Sequence, residues 1–314
     1  LDPDNDTIGI GYIFLANLFA SLIKPILLIK HVVKFRFVMD RIMAKAMLIY
    51  ALPLMVAGFA GIINETFDRI LIKRLLIGEG TEYAQSQVGI YSANYKLSIL
   101  ISLFIQAFRY AAEPFFFAQA KQRDGQKVYS RIMTFFVIIV SFIFLVIGLN
   151  LFFFKWFIPN KAYWEGLHIV PLLLLAYVFL GIYYNQSIWY KLADKTRFGA
   201  YIALGGAALT LILNFLLIPI IGYTGSAVAT LLVYFSMMVT SYYFGKKHYP
   251  IKYNLRKVGL YIFSALALYG ISRLIRWEQI EFMWSTFIIN GLLLLVFVGI
   301  VLFIERPFQQ FRKG

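Results

Sequence analysis

Two apolar runs of membrane-spanning length carry charge that no lipid-facing helix tolerates. The first, at about 46–72, holds Asn64, Glu65, Asp68 and Arg69. The second, at about 88–117, holds Lys96, Gln106, Arg109 and Glu113. A charge at the bilayer centre costs roughly 2.5–3.5 kcal/mol even on permissive insertion scales. Six such groups facing lipid would cost on the order of 10–20 kcal/mol, more than the net stability of most domains. The charged side chains are therefore expected to face one another, or water, inside a bundle.

Their spacing agrees with that expectation. At about 100° per residue, Gly58, Gly61, Glu65, Asp68 and Arg69 share about 100° of arc. On the second run Ser92, Tyr95, Lys96, Ser102, Gln106, Arg109 and Glu113 share about 140°. The opposite face of the second run is almost entirely Leu, Ile, Phe and Ala. One polar stripe and one apolar face is the pattern of a helix that lines an internal cavity.

The rest of the 314 residues fits the same class. With 61% hydrophobic and 14% charged residues the composition is that of a membrane protein. A net charge of +15 would suggest nucleic acid in a soluble protein, but here the excess sits in loops, as topology requires, and no nucleic-acid partner is expected. Cysteine is absent, which excludes disulfides and thiol chemistry. Position 1 is Leu and no signal peptide precedes the first apolar run, so the chain is expected to be a fragment without its N-terminus.

Nine apolar runs are long enough to cross roughly 30 Å of hydrocarbon: about 8–29, 46–72, 88–117, 131–154, 166–190, 198–220, 223–244, 257–275 and 282–304. The turn at 221–225 forces the sixth and seventh into an antiparallel hairpin. Loop charge sets the orientation. The segments 30–45, 118–131, 191–197, 245–257 and 305–314 hold 20 Lys and Arg, and the segments 73–87, 155–165, 221–222 and 273–281 hold 6. The first set is assigned to the cytoplasm, which also places the C-terminus there. Pro53, Gly58 and Gly61 in the second run, and Pro171 and Gly181 in the fifth, mark either packing kinks or hinges.

The hairpin Asn214-Phe215-Leu216-Leu217-Ile218-Pro219-Ile220-Ile221-Gly222-Tyr223-Thr224-Gly225-Ser226-Ala227-Val228-Ala229-Thr230 resembles that of the polysaccharide-exporter branch of the multidrug/oligosaccharidyl-lipid/polysaccharide (MOP) superfamily. Gly89-Ile90-Tyr91-Ser92-Ala93-Asn94-Tyr95-Lys96-Leu97 resembles the start of that branch's eighth helix, and the run from Phe108 to Phe117, with Pro114, continues it. The resemblance covers nearly the whole chain. It implies an all-α polytopic transmembrane helix bundle, with the nine helices here standing for helices 6–14 of fourteen. Residues 1–45 would be the last helix of the first lobe and the inter-lobe linker. Residues 46–244 would be the second six-helix lobe, and 245–314 two added helices and a short tail.

The resemblance also implies a function: flipping a polyprenyl-pyrophosphate-linked oligosaccharide across the bacterial cytoplasmic membrane, for surface polysaccharide or O-antigen synthesis, by alternating access. Related members include lipid II flippases and drug exporters. On this reading Arg69, Lys96 and Arg109 form a basic ladder for the pyrophosphate. Tyr95 and Gln106 contact the sugars. Glu65 and Asp68 take a coupling H⁺ or Na⁺, or pair with Lys96 at the same depth. Glu113, four residues from Arg109, is spaced to pair with it. The bland reading of all eight is a static salt-bridge lattice that orients the helices. The expected partners are the lipid-linked oligosaccharide, membrane lipid and a polysaccharide polymerase.

Weaker candidates are read structurally. Asn185 and Gln186 lie beside Trp189, Tyr190 and Lys191, whose aromatics suit a membrane-interface belt. Asn214 suits an interhelical hydrogen bond. His31, His168 and His248 show no metal-ligand spacing, and neither a metal nor a cofactor is expected. No phosphate loop or nucleophile elbow occurs, so the chain is not read as an enzyme. The rivals are a cation-coupled multidrug exporter and a membrane-embedded transferase or ligase of lipid-linked sugars.

Overall fold

The computed structural model describes residues 9–33, 40–120, 122, 124–277 and 283–305. Residues 1–6 and the loop charges Lys34, Arg36, Lys121, Arg123, Arg306, Arg312 and Lys313 lie outside the described residues, as do the side chains of His31 and Arg276. Eight helices among the described residues are long and apolar enough to cross a membrane. In chain order the helices are α1 (Gly9–Leu27), α2 (Ile29–Val32), α3 (Arg41–Leu76), α4 (Thr81–Gln119), α5 (Gly125–Leu149), α6 (Leu151–Phe154), α7 (Val170–Gln186), α8 (Ile188–Leu192), α9 (Thr196–Ile221), α10 (Tyr223–His248), α11 (Leu255–Trp277) and α12 (Met283–Glu305). The nine expected runs fall on these helices, the fourth on α5 and α6 and the fifth on α7 and α8; the first falls on α1, whose apolar stretch Phe14–Leu27 is shorter than the eight.

The chain falls into two compact units, Leu1–Ile49 and Tyr50–Gly314. The first contains α1, α2 and the start of α3. The remaining elements belong to the second.

In the second unit α10 packs along α7 and α9, α4 packs on α7, and α11 packs on α5. Two glycines make a tight turn and a close crossing possible. Gly222 joins α9 to α10 at φ +58°, a conformation that side chains disfavour, so the hairpin turns on a single residue rather than on the five expected. A Cβ on Gly181 would lie 2.6 Å from the Phe136 ring of α5, so Gly181 serves close packing of α7 on α5. Pro171 stands at the first turn of α7, where a missing N–H is harmless, after a 3₁₀ stretch over Lys161–Ile169. It starts the helix and does not kink it.

Polar and apolar side chains are distributed as a bilayer demands. On α9, Ile212, Phe215, Leu216 and Ile220 point outward while Thr210 and Asn214 are buried. Helix α12 is fastened to α11 near one end and to the end of α5 near the other. Lys257 Nζ lies 2.8 Å from both carboxylate oxygens of Glu305, and Tyr261 donates to the same group at 2.7 Å. At the far end Asn290 Nδ2 donates to the Leu149 carbonyl at 2.9 Å and to Asn150 Oδ1 at 3.0 Å.

Candidate functional site

The polar residues of α3 and α4 separate into a sealed hub and an open cavity. The division follows from helix phase. Relative to Gly58, Asn64 and Asp68 lie roughly 80–120° to one side of Glu65 and Arg69's mean direction. That offset turns Asn64 and Asp68 toward α9 and α10, and leaves Glu65 and Arg69 facing α4 and α7.

Asp68, with no solvent exposure, is the centre of the hub. Tyr91 OH of α4 donates to its Oδ2 at 2.7 Å, Thr230 of α10 to the same oxygen at 3.2 Å, and Asn214 Nδ2 of α9 to Oδ1 at 3.3 Å. Ser226 donates to Asn214 Oδ1 at 2.7 Å, and Thr210 donates to Asn64 Oδ1 at 2.8 Å. No Lys or Arg nitrogen among the described residues lies within 4.0 Å of Asp68. Neutral donors from three helices therefore stabilise this carboxylate in place of a cation.

The cavity has two chambers, of about 390 Å³ and about 310 Å³. Glu65, Leu180 and Tyr184 line both. The larger chamber adds Gly58, Gly61, Arg109, Glu113 and Lys191, with Tyr183, Tyr190 and Tyr234. The smaller adds Arg69, Tyr95, Ser102, Gln106 and Tyr177. Seven of the eight predicted residues thus occupy one region, with Asp68 behind the wall and the other six lining it.

Tyrosine faces hold the cations. The Arg69 guanidinium carbon lies 4.4 Å from the Tyr95 ring centroid and 5.9 Å from that of Tyr91, and its Nη1 donates to the Glu65 carbonyl at 2.7 Å. Tyr95 and Tyr177 join through their hydroxyls. The Arg109 guanidinium carbon lies 4.9 Å from the Tyr184 ring centroid. Such stacking contributes about 0.5–2 kcal/mol and leaves the in-plane N–H donors available.

Three expectations are corrected. Lys96 is exposed and has no carboxylate within 4.0 Å among the described residues, so it pairs with neither Glu65 nor Asp68. The reason is angular. Tyr95, Ser102, Gln106, Arg109 and Glu113 fall within about 60°, and Lys96 stands roughly 100° from their centre. The expected arc was too wide because it included Lys96. Second, Glu113 pairs with Lys191 of α8 at 2.6 Å, not with Arg109. Third, Trp189 and Tyr190 form no interface belt: both are buried, with Trp189 Nε1 donating to Ser241 at 3.2 Å.

Sequence reasoning missed Tyr91, Thr210, Ser226 and Thr230 in the hub and Tyr177 and Tyr184 at the cavity, and it set Lys191, which lines the larger chamber, aside with a membrane-interface belt. The hub had a legible signal. Asn64/Asp68, Thr210/Asn214 and Ser226/Thr230 are polar pairs four residues apart in otherwise apolar helices.

Residues 7–118 match the family model described as "Polysaccharide biosynthesis protein". No curated protein matches the chain. Among solved structures the chain is similar to the lipid II flippase MurJ in an inward closed conformation, with a TM-score of 0.53 and 15% identity. The similarity covers 92% of this chain and 61% of that one, so the chain spans about three-fifths of that structure's length. At this identity the likeness shows the fold: an all-α polytopic membrane bundle.

Proposed function

We propose that this chain is the second lobe of a flippase that moves a polyprenyl-pyrophosphate-linked oligosaccharide across the bacterial cytoplasmic membrane, with two added C-terminal helices and its C-terminus in the cytoplasm. The observation that carries the reading is the cavity itself. It sits among membrane-length helices, its three cations (Arg69, Arg109, Lys191) outnumber its two carboxylates (Glu65, Glu113), and tyrosine rings make up much of its wall. Cations offset the desolvation of a dianionic head group, and aromatic faces with hydroxyls suit sugar rings. The family match over 7–118 and the MurJ-like fold support the same class of cargo.

In this scheme Arg69 and Arg109 meet the pyrophosphate, and Tyr95 and Gln106 meet the glycan. Glu65, which lines both chambers and has no cation within 4.0 Å of its carboxylate among the described residues, takes the coupling H⁺ or Na⁺, and Asp68, closed off in the hub, holds the helices beside it. Lys96 faces away from the chambers and leaves the ladder. Alternating access would come from rocking of the two lobes, and a polysaccharide polymerase would receive the cargo for O-antigen or other surface glycans.

Reconstitution of the intact protein into liposomes tests the proposal. A fluorescent polyprenyl-diphosphate oligosaccharide placed in one leaflet should reach the other only when the protein is present. Flipping no faster than in protein-free liposomes, from vesicles with correctly folded protein, would sink it.

A further inference from the structure

Where α4 faces α8, the cavity wall holds more hydrogen-bond donors than acceptors. Lys191 is the clearest case. Its side chain is 10% exposed, and its ammonium makes one contact, at 2.6 Å to Glu113 Oε1. An ammonium carries three donors. Arg109 and Glu113 line the 390 Å³ chamber with Lys191, and Arg109 has no hydrogen-bond partner among the described residues, only the Tyr184 ring. Asn185, 3% exposed and without a partner at either carboxamide atom, lies outside that chamber, against an adjoining pocket of about 20 Å³ that has room for little more than a water. Ser187, by contrast, donates to the Tyr184 carbonyl at 2.6 Å.

The backbone explains how Lys191 arrives there. Helix α7 stops at Gln186 and a separate five-residue helix, α8, begins at Ile188. Ser187 between them keeps helical dihedrals, so Lys191, seven residues or about two turns beyond Tyr184, stays on the face that Tyr184 turns to the chamber.

Buried donors normally find acceptors, and side chains left without them mark a place where something else supplies the acceptors. Two of these groups are cations. The matching chemistry is a compact, multiply charged oxyanion rather than a sugar hydroxyl, which supplies acceptors without charge.

We infer that Lys191 joins Arg109 in holding the diphosphate, and that Glu113 is the carboxylate the incoming anion displaces from Lys191. This rests on the flippase reading and deepens it. Arg109, free of any carboxylate contact, meets the head group first. Lys191 then exchanges Glu113 for a phosphoryl oxygen, an ammonium–oxyanion contact replacing another. Because Glu113 competes with the ligand, it lowers affinity for the head group and lets the head group leave again.

Binding of farnesyl diphosphate and of inorganic pyrophosphate to the intact protein in nanodiscs tests the exchange. Lys191→Gln should weaken farnesyl diphosphate binding about tenfold, the effect of one charge-assisted contact. Glu113→Gln should strengthen it roughly threefold, because the competing charge is gone while the side-chain shape is kept. The double variant should bind like Lys191→Gln alone, and Lys191→Arg should retain most of the affinity. A gain of affinity cannot come from misfolding, so Glu113→Gln decides the matter. Weakening by Glu113→Gln as large as that by Lys191→Gln would overturn the inference, leaving the pair a helix staple. Equal affinity for inorganic pyrophosphate would overturn the lipid head group as the source of the anion. The flippase reading fails separately, if these ratios hold but the protein flips no lipid-linked oligosaccharide.

Discussion

The hub around Asp68 and the cavity wall around Arg109 begin from the same problem, a charge placed on an apolar helix, and solve it in opposite ways. Asp68 is fully enclosed and takes three neutral donors from three helices. Arg109 is half-buried, lies against one aromatic face, and has no acceptor for its N–H groups among the described residues. Saturation separates the two roles. A charge whose partners are all internal fixes helix positions, and one whose partners are missing is arranged for something that arrives from outside.

The largest expected effect breaks the hub. Asp68→Ala strands the Tyr91, Thr230 and Asn214 donors in a dry interface, each costing about 1–3 kcal/mol, so a loss on the order of 3 kcal/mol is expected. Thermal unfolding in detergent, followed by tryptophan fluorescence, should show a clear fall in midpoint. An unchanged midpoint would mean the donors find other partners and the hub is not structural. Arg109→Ala should move the same midpoint little, within about 1 kcal/mol, since only a partly exposed stacking contact is lost.

Thr230→Val sharpens the comparison at intermediate size. It removes one of Asp68's donors without changing shape, for an expected loss of about 1–2 kcal/mol. A double-mutant cycle with Asn214→Ala should be non-additive, because both side chains serve the same carboxylate. Strict additivity would show that the two act independently.

Much of this was legible in the sequence, and the misses have physical causes. Periodicity placed the helices, because 20 or more apolar residues in a row have few alternatives in a bilayer. It also placed Glu65, Arg69, Tyr95, Gln106, Arg109 and Glu113 at one cavity. It failed where tens of degrees decide the outcome, as at Lys96 on the edge of its stripe. It failed again where the partner comes from a distant helix. The i,i+4 spacing of Arg109 and Glu113 allows a pair within α4, but α8 brings Lys191, 78 residues further along the chain, against Glu113, and the contact forms there. The aromatics Trp189 and Tyr190 have the composition of an interface belt, and only tertiary packing shows that α9 and α10 cover them.

The smallest expected effect belongs to the residue that sequence reading overrated. Lys96→Ala should alter unfolding midpoint and glycan export by less than about 0.5 kcal/mol equivalent, as exposed side chains without partners usually do. Export falling as far as in an Arg109 variant would return Lys96 to the pathway.

Glycan export by Arg109→Ala, measured in cells lacking another flippase and at matched membrane level, tests the central claim most directly. The account predicts a loss of about 10–100-fold, from removal of a charge-assisted contact to the head group worth about 1.5–3 kcal/mol. Arg109→Lys should recover only part of it, keeping the charge but losing the planar fork that grips two oxygens. Wild-type export by Arg109→Ala would remove Arg109 from the pathway, because among the described residues it is the cation of the cavity wall without a carboxylate or hydrogen-bond partner, and it would then have nothing to carry.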